Sequence, residues 1–345
     1  MFEKNLKYYR LQKNMSKKDL AEACGVTLMA ISNYESGKRM PDINTISKLA
    51  DALDVRITDF LAPRNKKLSF NHGEFRKNST LTKSQQEYVQ ESVEEYFSRF
   101  FDAVDCLGGN PLPNPPECRT LDRSDDFETD AVNLRKYLGF PSSGPVDEII
   151  SFLEGHGIIV LEIKIDNNKF SGMNGMVNEY PYIAINEDMR PERKRTTIIH
   201  ELAHMMFKEA SSDTDEEKRA TAIAGAFLIT KDDLFRELGL RRRSLTKDLG
   251  LICDNYGISM YLLVTRAAQV GIMSESLAKD FYIKANKAQW KTNEPSRVHY
   301  KESPMLLMQL VLRAINEEGV SIQRGAELLN MKYSDVEQYC GQVVI

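Results

Sequence analysis

Apolar positions in residues 1–62 recur at helical spacing in short runs separated by turn residues, which predicts a cluster of short helices. Pro63 and the polar run Arg64, Asn65, Lys66 and Lys67 then predict an exit from that first domain. Residues 82–106 carry mixed charges with Tyr88, Tyr96, Phe97, Phe100 and Phe101 at periodic positions, the pattern of a long amphipathic helix. The stretch 108–118, with four prolines and two glycines, cannot continue it and reads as a loop. Residues 119–130 are polar and acidic and are assigned no element. From Ala131 the pattern alternates: helices over 131–138 and 145–154, a strand over 157–163, a turn-rich stretch from Gly172 to Tyr180, and a strand over 182–186. A helix over 192–208, an acidic interruption at 211–217 and a second helix to about 229 follow, and the remainder is mainly helical. No repeat of solenoid period is present. The expected fold class is α+β and multidomain: an all-α N-terminal domain, then a mainly helical domain with a small β-sheet.

Composition changes this picture little. The 345 residues are 42% hydrophobic and 28% charged, enough for two or three domains with cores of their own. No apolar run is long enough for a transmembrane helix, and MFEKNLKYYR lacks the apolar segment of a signal peptide. Cys24, Cys106, Cys118, Cys253 and Cys340 are odd in number and contain no CxxC pair, so reduced thiols in a cytoplasmic protein are expected. Charge is uneven: residues 1–67 hold 13 Lys/Arg against 8 Asp/Glu, the remainder 33 against 42. A basic head on an acidic body suits phosphate binding.

Residues 16–36, SKKDLAEACGVTLMAISNYES, have the spacing of a helix-turn-helix. Leu20, Ala21, Cys24, Val26 and Ile31 form the face where two short helices cross, and Gly25 sits at the turn, where positive φ is needed. Thr27 can cap the second helix, leaving Leu28, Met29, Ser32 and Asn33 outward, as a helix entering a major groove requires. From Leu6 to Leu61, including Gly37-Lys38-Arg39-Met40-Pro41, the chain resembles the Xre/Cro-type DNA-binding domains. The resemblance implies double-stranded DNA as partner, Lys17 as a phosphate contact, Lys38 and Arg39 nearby, and a structural salt bridge between Arg10 and Glu35. Leu28 and Met29 stand where such domains often carry polar base readers; apolar groups can meet thymine methyls but supply no hydrogen-bond code.

The chemistry is carried by His200-Glu201-Leu202-Ala203-His204. Histidines four apart on a helix can reach one ion, with Glu201 beside them as general base. With five histidines in the chain, such a motif arises by chance in about one sequence in a hundred. His72, His156 and His299 stand alone. Zinc needs a further protein ligand; Glu209, Asp213, Asp215, Glu216 and Glu217 are candidates, although Glu209 is too close along the same helix to turn back. Ala220, Ala222, Ala224, Gly225 and Ala226 provide small residues able to pack on the His helix.

The HExxH helix followed by Glu217-Lys218-Arg219-Ala220-Thr221-Ala222-Ile223-Ala224 and Phe227-Leu228-Ile229-Thr230 resembles the ImmA/IrrE family of metallopeptidases over about 131–275. Thr221 stands in place of the family's usual Asn or Asp, and Thr230 in place of its proline. The resemblance implies a zincin-like domain binding Zn²⁺ through His200, His204 and Glu217, with Glu216 as the fallback third ligand and Glu201 catalytic. It also implies a hairpin over Gly172 to Asn186 beside the zinc helix, and a small closing helical subdomain that includes Tyr256-Gly257-Ile258-Ser259, Arg266 and Gly271-Ile272-Met273. The stretch Gly319 to Leu329 looks like half a helix-turn-helix.

The expected organisation is 1–65 helix-turn-helix, 66–130 helical linker and Pro-rich loop, 131–275 metallopeptidase domain, and 276–345 a helical region for interaction or dimerisation. The expected function is a DNA-binding regulator fused to a zinc-dependent endopeptidase that cleaves a repressor-type protein in mobile-element or stress regulation. The competing readings are a non-catalytic regulator sensing metal or peptide, and an antitoxin-like regulator.

Overall fold

The computed structural model describes residues 1–65, 67–72, 81–165, 170–208, 213–290, 294 and 302–341. Lys66, Glu209 and His299 lie outside these, as do the side chains of Asp213 and Asp215. The chain divides into two compact units, one of Met1–Pro111 with Leu307–Ile345, the other of Leu112–Leu306. No helix among the described residues is long and apolar enough to cross a membrane.

The first unit begins with α1 (Phe2–Gln12), α2 (Lys17–Cys24), α3 (Leu28–Glu35), α4 (Ile43–Leu53) and α5 (Ile57–Phe60). Each short helix is bounded by its own sequence. Ser16 accepts from the Asp19 N–H while the Asp19 carboxylate accepts from Ser16, a reciprocal cap on α2. Gly25 ends α2 with φ 67°, and the Thr27 hydroxyl caps α3 through the Ala30 N–H. Leu6, Leu20, Ala21, Cys24, Ile31, Leu49, Leu53 and Phe60 close the core, while Val26 is only partly buried. Arg10 and Glu35, both almost fully buried, form the two-pronged salt bridge that the resemblance implied.

A short strand β1 (Phe70–His72) and the long helix α6 (Lys83–Leu107) follow, the latter capped by Thr82. Tyr88 of α6 stacks on Tyr8, and Glu91 and Glu94 pair with Lys7 and Lys4. Farther along α6, Arg99 donates to the Leu328 carbonyl and Asp102 pairs with Arg324. The helices Leu306–Asn316, Ile322–Leu329 and Tyr333–Cys340 belong to this end of the chain. They repeat the head in form. An 11-residue helix precedes two 8-residue helices in both; Ser321 caps as Ser16 does, and Asn330 at φ 53° replaces Gly25. The half motif read from sequence is followed by a further helix of the same length as α3.

The second unit contains α7 (Phe127–Leu138), α8 (Ile149–Glu154), β2 (Ile159–Ile163), β3 (Gly172–Val177), β4 (Tyr180–Asn186), α9 (Pro191–Met206) and α10 (Asp213–Leu228). It continues with α11 (Lys231–Leu238), α12 (Asp248–Tyr256), α13 (Met260–Gln269) and α14 (Glu275–Lys287). β4 runs parallel to β2 and antiparallel to β3, with Gly172 opposite Ile185 and Val177 opposite Tyr180. The sheet packs on α9, and α10 packs on α9 and α7 around one large apolar core.

Three local expectations are corrected. The stretch from Gly172, turn-rich by its residue pattern, is the first strand of the hairpin that the resemblance implied: its glycine lies where β3 passes close to α9, and an added Cβ would meet Thr197 Cγ2 at 2.7 Å. Helix α7 starts at Phe127 rather than Ala131, because Asp126 caps it and acidic residues fill its first turn. Gly225 does not serve the His helix; it makes room for Arg266 and Leu262 of α13, whose atoms would lie 2.9 and 3.1 Å from a Cβ there. Thr230, standing where the resembled family has proline, caps α11 together with Asp233.

Candidate functional site

Helix α9 starts on Pro191, whose missing N–H costs nothing in a first turn. Ile198, Ile199, Leu202, Ala203, Met205 and Met206 bury it in the core. Its rotation is fixed by Arg195, fully buried and paired with the equally buried Glu302, whose carboxylate also accepts the N–H groups of Ile149 and Ile150. A buried ion pair of this kind strongly penalises any rotation that would separate its charges. The consequence one turn later is that His200 and His204 face α10.

On α10, Glu217 faces back. The Nε2 atoms of His200 and His204 lie 3.1 Å apart, and the Glu217 carboxylate oxygens lie 3.5 Å from the first and 3.4 Å from the second. Ligand atoms at about 2.0–2.1 Å around a tetrahedral zinc are about 3.3 Å from one another, so this donor set fits that ion in both type and spacing. Among the described residues, His200, His204 and Glu217 are the group of metal-ligating side chains that converge in this way.

The outer nitrogens have different partners. His200 Nδ1 lies 3.2 Å from Thr221 Oγ1, and that hydroxyl donates to the Glu217 carbonyl at 2.9 Å. With its proton committed, the oxygen accepts from Nδ1–H and leaves Nε2 bare for a metal. Thr221 therefore occupies the position of the resembled family's Asn or Asp with a working hydroxyl. His204 Nδ1 faces Glu216 Oε1 at 3.8 Å, and Glu216 is bound in turn by Arg123. Burial, then the neighbouring His200, hold the His204 imidazole below its ordinary pKa against the pull of Glu201, Glu217 and Glu216. A neutral ring at neutral pH is the form that ligates.

Glu201 is 4% exposed and its Oε2 accepts from the Asn174 amide at 2.8 Å. Asn174 was hidden from sequence reasoning inside the stretch read as turns. Its signal was the apolar alternation of GMNGMV, in which Met173, Gly175 and Val177 point inward. Arg123, in a segment assigned no element, was also missed.

In the head, Leu28 and Met29 are exposed on α3, Ser32 and Asn33 half-buried beside them, and Lys38 and Arg39 exposed after it. The Thr27 hydroxyl is engaged as a cap. Lys17 reaches 3.5 Å from the Glu35 carboxylate. These side chains form one outward surface around α3.

Residues 6–60 match the helix-turn-helix family model, and residues 153–267 match that of the IrrE N-terminal-like domain, a peptidase family. An uncharacterised HTH-type transcriptional regulator, YqaE of Bacillus subtilis (strain 168), is 39% identical over 61 residues, 18% of this chain and 52% of that protein. An SPbeta prophage-derived regulator of the same strain, YonR, is 41% identical over 61 residues, 18% of this chain and 56% of its own. The chain thus spans about half the length of the curated relatives it matches. It joins a helix-turn-helix DNA-binding domain of regulator type to an IrrE N-terminal-like, M78 peptidase-like domain.

Proposed function

We propose that this chain is a DNA-binding regulator carrying a zinc-dependent endopeptidase, and that its substrate is a repressor-type protein. The observation that carries the reading is the convergence of two imidazole nitrogens and one carboxylate at zinc spacing, with the buried Glu201 held beside them. When bound, zinc supplies Lewis-acid polarisation of a carbonyl and makes water acidic enough to attack near neutral pH.

The remaining work belongs to the chain. His200, His204 and Glu217 hold the ion. Glu201 takes a proton from the attacking water and passes it to the leaving amine, the general acid–base role of a carboxylate within reach of both. Asn174 donates to one oxygen of that carboxylate and so fixes its orientation. Helix α3, with Lys17, Lys38 and Arg39 around it, carries the molecule to double-stranded DNA by phosphate contacts and groove insertion. The prophage origin of one relative supports a mobile-element setting for the repressor.

The test is Glu201→Gln, assayed for bound zinc and for cleavage of a repressor encoded beside the gene. Retained zinc with cleavage reduced at least 100-fold is expected. Undiminished cleavage would overturn the mechanism. Zinc-dependent operator affinity without cleavage by the wild type would replace the peptidase with a sensor.

A further inference from the structure

We infer that Arg123 is a positioning residue of the metal centre, acting through Glu216 on His204; the inference rests on the metal-site reading above. Arg123 lies outside the segment matched by the peptidase-family model, which begins at residue 153. The chain nevertheless returns to the site there. Arg119 N–H donates to the Met205 carbonyl at 2.9 Å, Leu121 N–H to the Met206 carbonyl at 3.0 Å, and Lys208 N–H to the Leu121 carbonyl at 3.0 Å. Residues 119–121 thus run as a short extended segment along the C-terminal end of α9. They satisfy carbonyls that a helix end leaves without partners.

Arg123 stands two residues beyond. Its Nε donates to the Lys208 carbonyl at 2.8 Å, just past α9, and its Nη2 donates to Glu216 Oε1 in the first turn of α10. One planar guanidinium therefore ties the exit of the His helix to the entry of the Glu helix. Arginine's fork suits two acceptors in fixed directions, which an ammonium on a flexible stem does not reproduce. The side chain is 16% exposed and Glu216 17%, so the pair is only weakly screened.

Two consequences follow for the ligands. Glu216 Oε1 is held by Arg123 and faces the outer nitrogen of His204 at 3.8 Å, so its charge acts on that ring from the outer side, away from the Nε2 atoms that converge with Glu217. Its neighbour Glu217 is left as the carboxylate that faces both Nε2 atoms. Farther along α10, Arg219 pairs with Asp130 and donates to the Ser124 carbonyl, which fastens the same loop at a second point.

The experiment is a zinc competition titration against a chromogenic chelator, with the visible spectrum of the cobalt(II)-loaded protein. The full-length wild type is compared with Arg123→Met, Arg123→Lys, Glu216→Gln and the Arg123→Met/Glu216→Gln double variant. Loss of an outer partner of a ligating histidine weakens metal binding by about 10- to 100-fold. That loss is expected for Arg123→Met and for Glu216→Gln, with a smaller loss for Arg123→Lys. The double variant should be no weaker than the worse single one, because the pair acts as a unit. The cobalt spectrum should shift in the same variants, and thermal unfolding of the metal-free proteins shows whether each still folds. Zinc affinity within twofold of wild type in folded Arg123→Met, or fully additive losses in the double variant, overturns the inference while leaving the metal site standing. A wild type that takes up no zinc overturns the site and the inference together.

Discussion

The helix pair α2–α3 turns its candidate functional side chains outward, whereas α9–α10 turns its own inward. Leu28 and Met29 are 53% and 68% exposed; His200 and Glu201 are 7% and 4% exposed. In the head, one face of each helix makes the core and the other carries the surface, so folding and recognition use different atoms. In the metal centre the same atoms serve both. His200, His204 and Glu217 bring imidazoles and a carboxylate together in a partly buried site, with Thr221 bonded to His200, Asn174 to Glu201 and Arg123 to Glu216 around them. Stability and function should therefore separate in the first region and move together in the second.

The largest effect should come from the ion. If zinc binds the folded second unit alone, a free concentration a thousandfold above its dissociation constant stabilises by about 4 kcal/mol. Removing zinc with a chelator should lower the unfolding midpoint of the wild type by several degrees, and His204→Ala should unfold at the same midpoint with and without chelator. Calorimetry in paired samples checks this. Equal zinc content in wild type and His204→Ala would dissolve the comparison by removing the site.

Next comes Gly172→Ala. Its new Cβ would lie 2.7 Å from Thr197 Cγ2 and 3.5 Å from Glu201 Cγ. Relief requires β3 to move off α9 and take Asn174 with it, at a cost of about 1–3 kcal/mol. Denaturant midpoint and turnover should fall together here. A variant that loses stability while keeping full cleavage would show that Glu201 does not depend on the strand.

A smaller effect compares the head with the C-terminal helices that share its helix lengths and its serine cap. Ser16 and Ser321 cap equivalent helices through the same bond, at 3.1 Å in each. Ser16→Ala and Ser321→Ala should each cost about 1 kcal/mol. Their surfaces differ: Leu28 and Met29 lead the second helix of the head, whereas Tyr333, Ser334, Glu337 and Gln338 are exposed on that of the repeat. Operator affinity measured below the unfolding transition should stay near wild type in both variants. A selective loss with Ser321→Ala would give the C-terminal motif a DNA role.

The same contrast explains what the sequence disclosed. The head was legible because its determinants are contiguous: a cap at Ser16, a left-handed residue at Gly25 and a cap at Thr27 fall within twelve positions. His200, Glu201 and His204 were legible for the same reason, lying on one turn of one helix. Glu217 needed the resemblance, because local spacing alone left several acidic residues open. Asn174 and Arg123 were illegible. Each acts across a gap in sequence, 27 and 93 residues for their bonds to Glu201 and Glu216, and each sits in a stretch whose local pattern pointed elsewhere. Glycine in β3 signalled a turn when it marked a close approach to a helix. The polar segment before α7 signalled no element, although its backbone pairs with the end of α9.

The smallest expected change in stability is also the strongest test of separation. Lys38 and Arg39 are exposed after α3, so Lys38→Ala and Arg39→Ala should each leave the unfolding midpoint unchanged to within about 0.5 kcal/mol. On the reading proposed above, each removes one phosphate-neutralising charge. The slope of log affinity against log salt should therefore become shallower by about 0.9 per substitution, similarly for operator and non-specific duplex. Zinc content and cleavage should not change. A slope that stays the same while affinity drops would mean that these residues act on α3 rather than on phosphate, and the outward face would then share atoms with the fold as the inward one does.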